Sequence, residues 1–470
     1  MSYPVYGEYK ATRWPEVGHI PSGWEARRLK FSATCNDETL PETTDPDFEM
    51  AYVDISSVGL VNGITAVEVQ TFEKAPSRAR RIVRHGDTLI STVRTYLKAI
   101  APVDAPPENM IVSTGFAVVR PLGFIHSGFL GYALQNTAFI DAVVANSTGV
   151  SYPAINPTSL ICLAVCYPKD KKEQQQIAAF LDWKTGQIDA LITKKKALMD
   201  KLKEKRLAVI TQAVTKGLNP AAPLRDSGIA WLGAVPEHWE VKRLRFATGK
   251  IEQGWSPQCD NQPADEDTWG VMKVGCVNGD EFDALENKAL PLTLEPLEEY
   301  ELHPREILIS RANTKELLGS AAIVPDDVRP KLLLCDKLFR LRPVPGVDEE
   351  FLTCYLRTPA ARYQYEREAT GSSGSMQNIG QGTLKNLVVV LPPIDEQKLI
   401  NQHIRCEVTK LDALMQRTES AIARLTEYRT ALITAATTGK IDVRQVAIPR
   451  QSAQTAPTRS TSIDSIACTA

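Results

Sequence analysis

The sequence predicts an α+β chain with an internal repeat, in which two mostly β regions alternate with two long helices whose apolar seams are coiled-coil-like. Two observations carry this. The stretch IPSGWEARRLKF, beginning at Ile20, returns as VPEHWEVKRLRF, beginning at Val235, with Pro, Trp, Glu, Arg, Leu and Phe identical and in the same order. Further on, KEQQQIAAFLDWKTGQIDALITKKKALMDKLKEKRLAVIT from Lys172 runs parallel to DEQKLINQHIRCEVTKLDALMQRTESAIARLTEYRTALIT from Asp395 at a constant offset of 223 residues. The order along the chain is globular stretch, long helix, globular stretch, long helix.

The globular stretches align more weakly. Thr88-Leu89-Ile90-Ser91 in GDTLISTVRTYLKAI matches Leu308-Ile309-Ser310 in REILISRANTKELLGSAAI, VSTGFAVVRP (112–121) parallels LCDKLFRLRP (334–343), and NSTGVSYPAI is placed like ATGSSGSMQNI. Short, β-branched, turn-bounded segments predict strands, and FLGYALQNTAFIDAVV, 129–144, predicts a helix among them. Trp24 and Trp239 lie inside the repeated motif, which points to one packed corner per half rather than to base stacking.

Each long segment lacks internal proline and ends in glycine, Gly217 or Gly439, a helix stop. About 40 residues of helix span roughly 60 Å at 1.5 Å per residue. A seven-residue ladder runs Leu181, Ile188, Lys195, Leu202, Val209 and, 223 residues later, Ile404, Leu411, Thr418, Leu425, Leu432. A second is expected through Leu191 and Leu198, matched by Leu414 and Ala421. Seams of this period pack helix on helix; two separate surface helices, each lying on its own domain, are the alternative. NPAAPLRDSG, 219–228, is a Pro-rich linker, and the tail after about Ile448 is Ser/Thr/Ala-rich and expected to be disordered.

Composition excludes more than it selects. No run of about 18 apolar residues occurs and MSYPVYGEYK lacks the form of a signal peptide, so a cytoplasmic protein is expected. The nine cysteines form no CxxC pair and read as reduced thiols. Residues 1–170 carry 14 basic against 17 acidic side chains and 219–395 carry 19 against 27, so DNA binding would need local clusters or charge from partner proteins. There is no GxxxxGK[ST] loop, no glycine-rich dinucleotide or S-adenosylmethionine turn, and no Asn-Pro-Pro-Tyr-type motif: Asn156-Pro157 leads into Thr and Asn219-Pro220 into Ala. Catalysis within this chain is not expected.

PLRDSGIAWLGAVPEHWEVKRLRF closely resembles the segment that opens each half of the specificity (S) subunit of type I restriction-modification systems. GDTLIS, NLVVVLPPIDEQ and IDALITKKKALMDKLKEKR are similar to its other hallmarks, and the resemblance spans 15–445. It implies two target recognition domains, 1–170 and 219–395, each reading one half of an interrupted double-stranded DNA site. They would be held by an antiparallel pair of conserved helices, a central one at 171–218 and a distal one at 396–445, with a tail at 446–470. It implies a non-catalytic chain with no cofactor or metal of its own. Two copies of a methyltransferase (M) subunit would bring S-adenosylmethionine to adenine N6, and restriction (R) subunits, in larger complexes, would bring ATP and Mg. A protein-interaction scaffold and a stand-alone DNA-binding regulator are the rival readings; the acidic β regions count against the second.

Readers of different half-sites must lie where the copies differ. After the Leu-Ile-Ser strand the first copy has Thr92, Arg94, Tyr96 and Lys98, and the second Arg311, Asn313, Thr314 and Lys315. Arginine to guanine and asparagine to adenine are the usual major-groove pairings. Near the end of each region, Ser147, Thr148, Gly149, Ser151 and Tyr152 correspond to Thr370, Gly371, Ser372, Ser373, Ser375 and Gln377. Small hydroxylic residues beside glycine allow close approach to phosphate or base edges; ordinary solvated turns are the alternative. Arg78, Arg80, Arg81 and Arg84 form the sharpest basic cluster, with phosphate contact and a plain solvated edge both open.

Overall fold

A computed structural model describes residues 3–371 and 376–449. The chain divides into two compact units: one runs to Lys196 and resumes at Ser420, the other is Ala197–Glu419. Each holds a β body and about half of each long helix, Lys171–Lys216 and Ile394–Thr437. Ser372, Ser373 and Ser375, and nearly all of the expected tail, lie outside the described residues. Among the described residues no helix is long and apolar enough to cross a membrane.

In the first unit, Thr88–Ser91 is buried throughout and pairs antiparallel with Ile100–Pro102 on one side and Phe116–Pro121 on the other. Ala33–Cys35 completes that four-stranded sheet. A second sheet has the order Glu68–Thr71, Glu49–Val53, Met110–Ser113, Ala79–Ile82, its central pair parallel. In the second unit the equivalent central strand, Ile307–Ser310, lies between Leu338–Leu341 and Ala321–Ile323. Its other sheet again has a parallel pair, Gly270–Met272 with Leu332–Leu333. Runs such as TLIS and ILIS are apolar on both faces because both are covered.

The helix expected over 129–144 is two helices, Ser127–Ala133 and Thr137–Ala145. Leu134 closes the first and Asn136 caps the second, its Oδ1 accepting from the Phe139 N–H at 2.8 Å. The second unit breaks in the same place: Thr358 caps Pro359–Glu368 after Glu349–Leu356, with proline at the first helical position.

The long helices pair within each unit, and one ladder needs correcting. Leu181, Ile188, Leu202, Ile404, Leu411, Thr418 and Leu432 are buried, while Val209, Leu425 and Lys195 are half-buried. Leu191, Leu198 and Leu414 are 47, 45 and 46 % exposed and lie off the seam. The second contact row comes four residues after the first, not three: Thr185, Ile192, Met199, Arg206 and Ala213, matched by Val408, Met415, Ile422, Arg429 and Ala436, each buried or half-buried. Spacings of three and four share a helix face equally in sequence. The neighbouring β body and partner helix decide between them.

Two ion pairs record the symmetry of the pairing. In the first unit Arg429 Nε donates to Asp189 Oδ1 at 2.9 Å; in the second Arg206 Nε donates to Asp412 Oδ1 at 3.0 Å. Each pair exchanges the roles of the two helices at the 223-residue offset.

Candidate nucleic-acid interface

The repeated tryptophans are buried, 1 % exposed in each unit. Trp24 Nε1 donates to Glu173 Oε1 at 2.9 Å, and Trp239 Nε1 to Glu396 Oε1 at 3.1 Å. Each ring meets a phenylalanine edge-on: Phe129 at 6.1 Å between centroids in one unit, Phe351 at 6.3 Å in the other. Glu173 and Glu396 each lie in the first turn of a different long helix, and in each unit the glycine that follows the end of the other long helix lies against the same indole. A Cβ on Gly217 would sit 3.2 Å from the Trp239 ring, and one on Gly439 3.6 Å from Trp24 and closer still to Pro21. Both glycines have left-handed φ, 76° and 72°, so conformation and space both require glycine. One indole therefore ties the start of one helix to the end of the other, which is why the motif occurs twice.

The residue after each glutamate completes the corner. Gln174 Nε2 donates to the Pro168 carbonyl at 2.9 Å and its Oε1 accepts from the His126 N–H; Gln397 does the same with Pro392 and the Asp348 N–H. Sequence reasoning missed this Glu-Gln pair and the Arg206 and Arg429 bridges, although all repeat at the offset of 223. In the first unit Tyr6 also donates to Glu173 at 2.8 Å; burial and then the neighbouring carboxylate push its phenol pKa up, so it remains a donor. His238 occupies the other side of Glu396 in the second unit, 2.7 Å away.

In each unit the two loops that the sequence singles out pair with each other. In the first, the Ile155 N–H donates to the Thr92 carbonyl, Val93 bridges to Ala154, and Thr148 and Ala154 exchange both backbone bonds at 2.9 Å. In the second, the Ile379 N–H donates to the Arg311 carbonyl, Ala312 bridges to Asn378, and Thr370 and Asn378 exchange both bonds at 2.9 Å. The backbone scheme is the same while the side chains differ.

Within this scheme the candidates separate. Arg94 is exposed, has a left-handed φ of 49°, and stacks its guanidinium on the Tyr152 ring at 4.8 Å. Lys98 is also left-handed, and Tyr96, Thr148, Ser151 and Tyr152 are exposed. Non-glycine residues in that region store strain held by the surroundings. Thr92 and Ser147 instead face inward: the Thr92 hydroxyl donates to the Gly115 carbonyl at 2.8 Å, and Ser147 bonds the Val143 carbonyl and the Thr95 hydroxyl. In the second unit Lys315 is exposed, Thr314, Arg311 and Gln377 are half-buried, and Arg311 donates to the Asp336 carbonyl. Asn313 is only 8 % exposed, its amide donating to Asn278 Oδ1 at 2.8 Å.

The four arginines of the basic run do not form a free patch. Arg78 pairs with Asp54 and Arg84 with Glu38, both at 2.8–2.9 Å, while Arg80 lies over the Phe72 ring at 4.4 Å and Arg81 donates to Thr39. Burial pushes the Asp54 carboxyl up, but the Ser56 N–H, Arg78 and Tyr52 outweigh it and hold the group below its ordinary range. Among the described residues no three His, Cys, Asp or Glu side chains gather as a metal site.

Fold and site define a class: a duplicated chain that displays one paired-loop surface on each of two β bodies mounted on shared helices. No protein-family model matches the chain. It is 28 % identical over 226 residues to the type I restriction enzyme EcoEI specificity subunit of Escherichia coli, covering 48 % of this chain and 38 % of that one. With the EcoKI specificity subunit of Escherichia coli K12 it shares 23 % identity over 69 % of this chain and 68 % of the relative. A chain from a solved type I R-M system, described in terms of complex assembly and conformational transition, superposes with a TM-score of 0.68 at 23 % identity, covering 89 % of this chain and 98 % of that chain. The relatives this chain is similar to are specificity subunits of type I restriction enzymes, and it spans well under half the length of the first of them and about two thirds of the second.

Proposed function

We propose that this chain recognises a bipartite double-stranded DNA site, one half per unit, and positions methyltransferase subunits on it without doing chemistry itself. The observation that carries the reading is the recurrence of one loop-pairing scheme, Val93–Ala154–Thr148 and Ala312–Asn378–Thr370, under side chains that differ between the copies. A conserved frame with variable tips suits the reading of two unlike half-sites. In the first unit Arg94, stacked on Tyr152, has the fork geometry that pairs with guanine O6 and N7, and the exposed Ser151, Thr148 and Lys98 on the same two loops serve as base or phosphate contacts. In the second, Lys315, Arg311 and Gln377 hold the equivalent places. The acidic balance of both β regions leaves much of the phosphate neutralisation to partners.

Those partners are two methyltransferase subunits carrying S-adenosylmethionine and, in larger assemblies, restriction subunits using ATP and Mg. Purified chain alone should transfer no methyl group to adenine and bind no S-adenosylmethionine, and should direct methylation to one bipartite sequence once methyltransferase is added. Methyl transfer by the chain alone would refute the proposal. Exchanging 86–152 for the matching segment of a related chain should change one half-site only, read by methylome sequencing.

A further inference from the structure

The second unit has a third loop beside its paired pair. Val274–Val277 is a short 3-10 turn with Cys276 and Val277 buried; the chain then exposes Asn278, Gly279 and Asp280 and returns through the Asp283 N–H to the Cys276 carbonyl at 3.0 Å. This tip is held from three directions. Asn313, on the first of the paired loops, donates to Asn278 Oδ1 at 2.8 Å. Arg357, at the end of Glu349–Leu356, donates to the Asp280 carbonyl at 2.5 Å and the Gly279 carbonyl at 3.3 Å. Arg206, on the first long helix, donates to Asp280 Oδ2 at 2.7 Å while also holding Asp412.

We infer that the loop Val274–Asp283 is a third DNA-reading element of the second unit, with Asn278 contacting a base and Asn313 acting as its positioning residue. The inference rests on the DNA-reading function proposed above. Three clamps on an exposed tip exceed what a solvated turn needs, and they fit a group whose orientation must be set before binding. With its oxygen held by Asn313, the exposed Asn278 carboxamide is oriented, and asparagine is the usual partner of adenine N6 and N7. Gly279 beside it brings no side chain between the tip and a groove. Asp280 would repel phosphate, and Arg206 and Arg357 counter that charge. Buried Asn313 is thereby explained: its amide is spent on Asn278 and on the Thr314 N–H, which donates to its Oδ1 at 2.9 Å. The first unit closes the corresponding chain into a small hairpin, Val58–Gly59 against Gly63–Ile64, so this reader belongs to one half-site alone.

The test uses the full chain assembled with methyltransferase subunits, with sequencing of the modified DNA. Asn278→Ala should lower discrimination about ten-fold or more at one base pair of one half-site and leave the other half-site as it was. Asn313→Ala should weaken the same position, and the double variant should match Asn278→Ala, because a positioning residue acts through its partner. Asn278→Asp should shift preference at that position rather than abolish modification, since a carboxylate accepts where the amide donates. If the wild-type complex modifies no bipartite sequence, the reading of DNA itself falls and takes this inference with it. If the wild type is specific and Asn278→Ala preserves every position, or weakens all positions alike, the third reader is overturned while the paired loops stand.

Discussion

The two units agree where they hold the helices and disagree inside their sheets. Both have the Trp-Glu-Phe corner, the helix-ending glycine against the indole, the buried glutamine and one Asp–Arg bridge across the helix pair. Yet the strand position that faces Leu89 in the first unit is Val118, and the position that faces Leu308 in the second is Arg340, 1 % exposed. Val118 needs only neighbours. Arg340 needs partners, and has Glu252 Oε2 at 2.7 and 3.0 Å, the Glu301 carbonyl at 2.7 Å and the Glu299 carbonyl at 2.9 Å. The difference teaches that the corner is fixed by joint constraints from two helices and a strand, whereas a sheet interior tolerates even a charge if its hydrogen bonds are complete.

The largest expected effect tests the shared part. Trp24→Ala and Trp239→Ala should each destabilise their own unit by about 3 to 5 kcal/mol, since a large buried ring is lost and a glutamate loses its donor. Hydrogen exchange should localise the damage, to the first unit in one case and the second in the other. Unequal costs would show that the corners only look alike.

Next comes the helix seam, where two leucine positions of equal sequence promise have unlike surroundings. Leu411→Ala and Leu432→Ala, both buried, should cost about 2 to 4 kcal/mol in chemical denaturation. Leu191→Ala and Leu414→Ala, both nearly half exposed, should stay within about 0.5 kcal/mol. A costly Leu191→Ala would restore the three-residue spacing.

The matched bridges should then part company. Arg429→Ala removes one carboxylate's partner and Arg206→Ala removes two, each at about 1 to 3 kcal/mol. Only Arg206→Ala should speed amide exchange in Val274–Asp283, because only Arg206 reaches a loop of its β body. Faster exchange at 55–65 in Arg429→Ala would erase that asymmetry.

The smallest effect is a pH dependence in the second unit. Burial pushes the Glu252 carboxyl up, but Arg340, Lys250 and Arg342 outweigh it, so its folded pKa lies below its ordinary value. A depressed carboxyl contributes stability that is fully present above the unfolded pKa, about 4.3, and lost as pH falls through the folded one. Glu252→Gln should therefore lower the melting temperature at pH 7 and converge on the wild type in acid. A difference that persists unchanged at low pH would assign the effect to packing instead of charge.

By itself the sequence determined the duplication, the two long helices, the strand centred on TLIS or ILIS, and the two loops per half, because each is a local pattern stated twice. It located Trp24 and Trp239 in a packed corner for the same reason. Only the tertiary structure decided which side of each helix faces inward, since spacings of three and four are equivalent until a β body covers one of them; hence Leu191, Leu198 and Leu414 were misplaced and Arg206 and Arg429 overlooked. It also decided which polar residues are free. Asn313 and Arg94 look alike as candidate readers, but one spends its amide on Asn278 and the other lies exposed on Tyr152. A hydrogen bond between residues 35 apart and a cation-π stack between residues 58 apart set that distinction, and no local pattern encodes them.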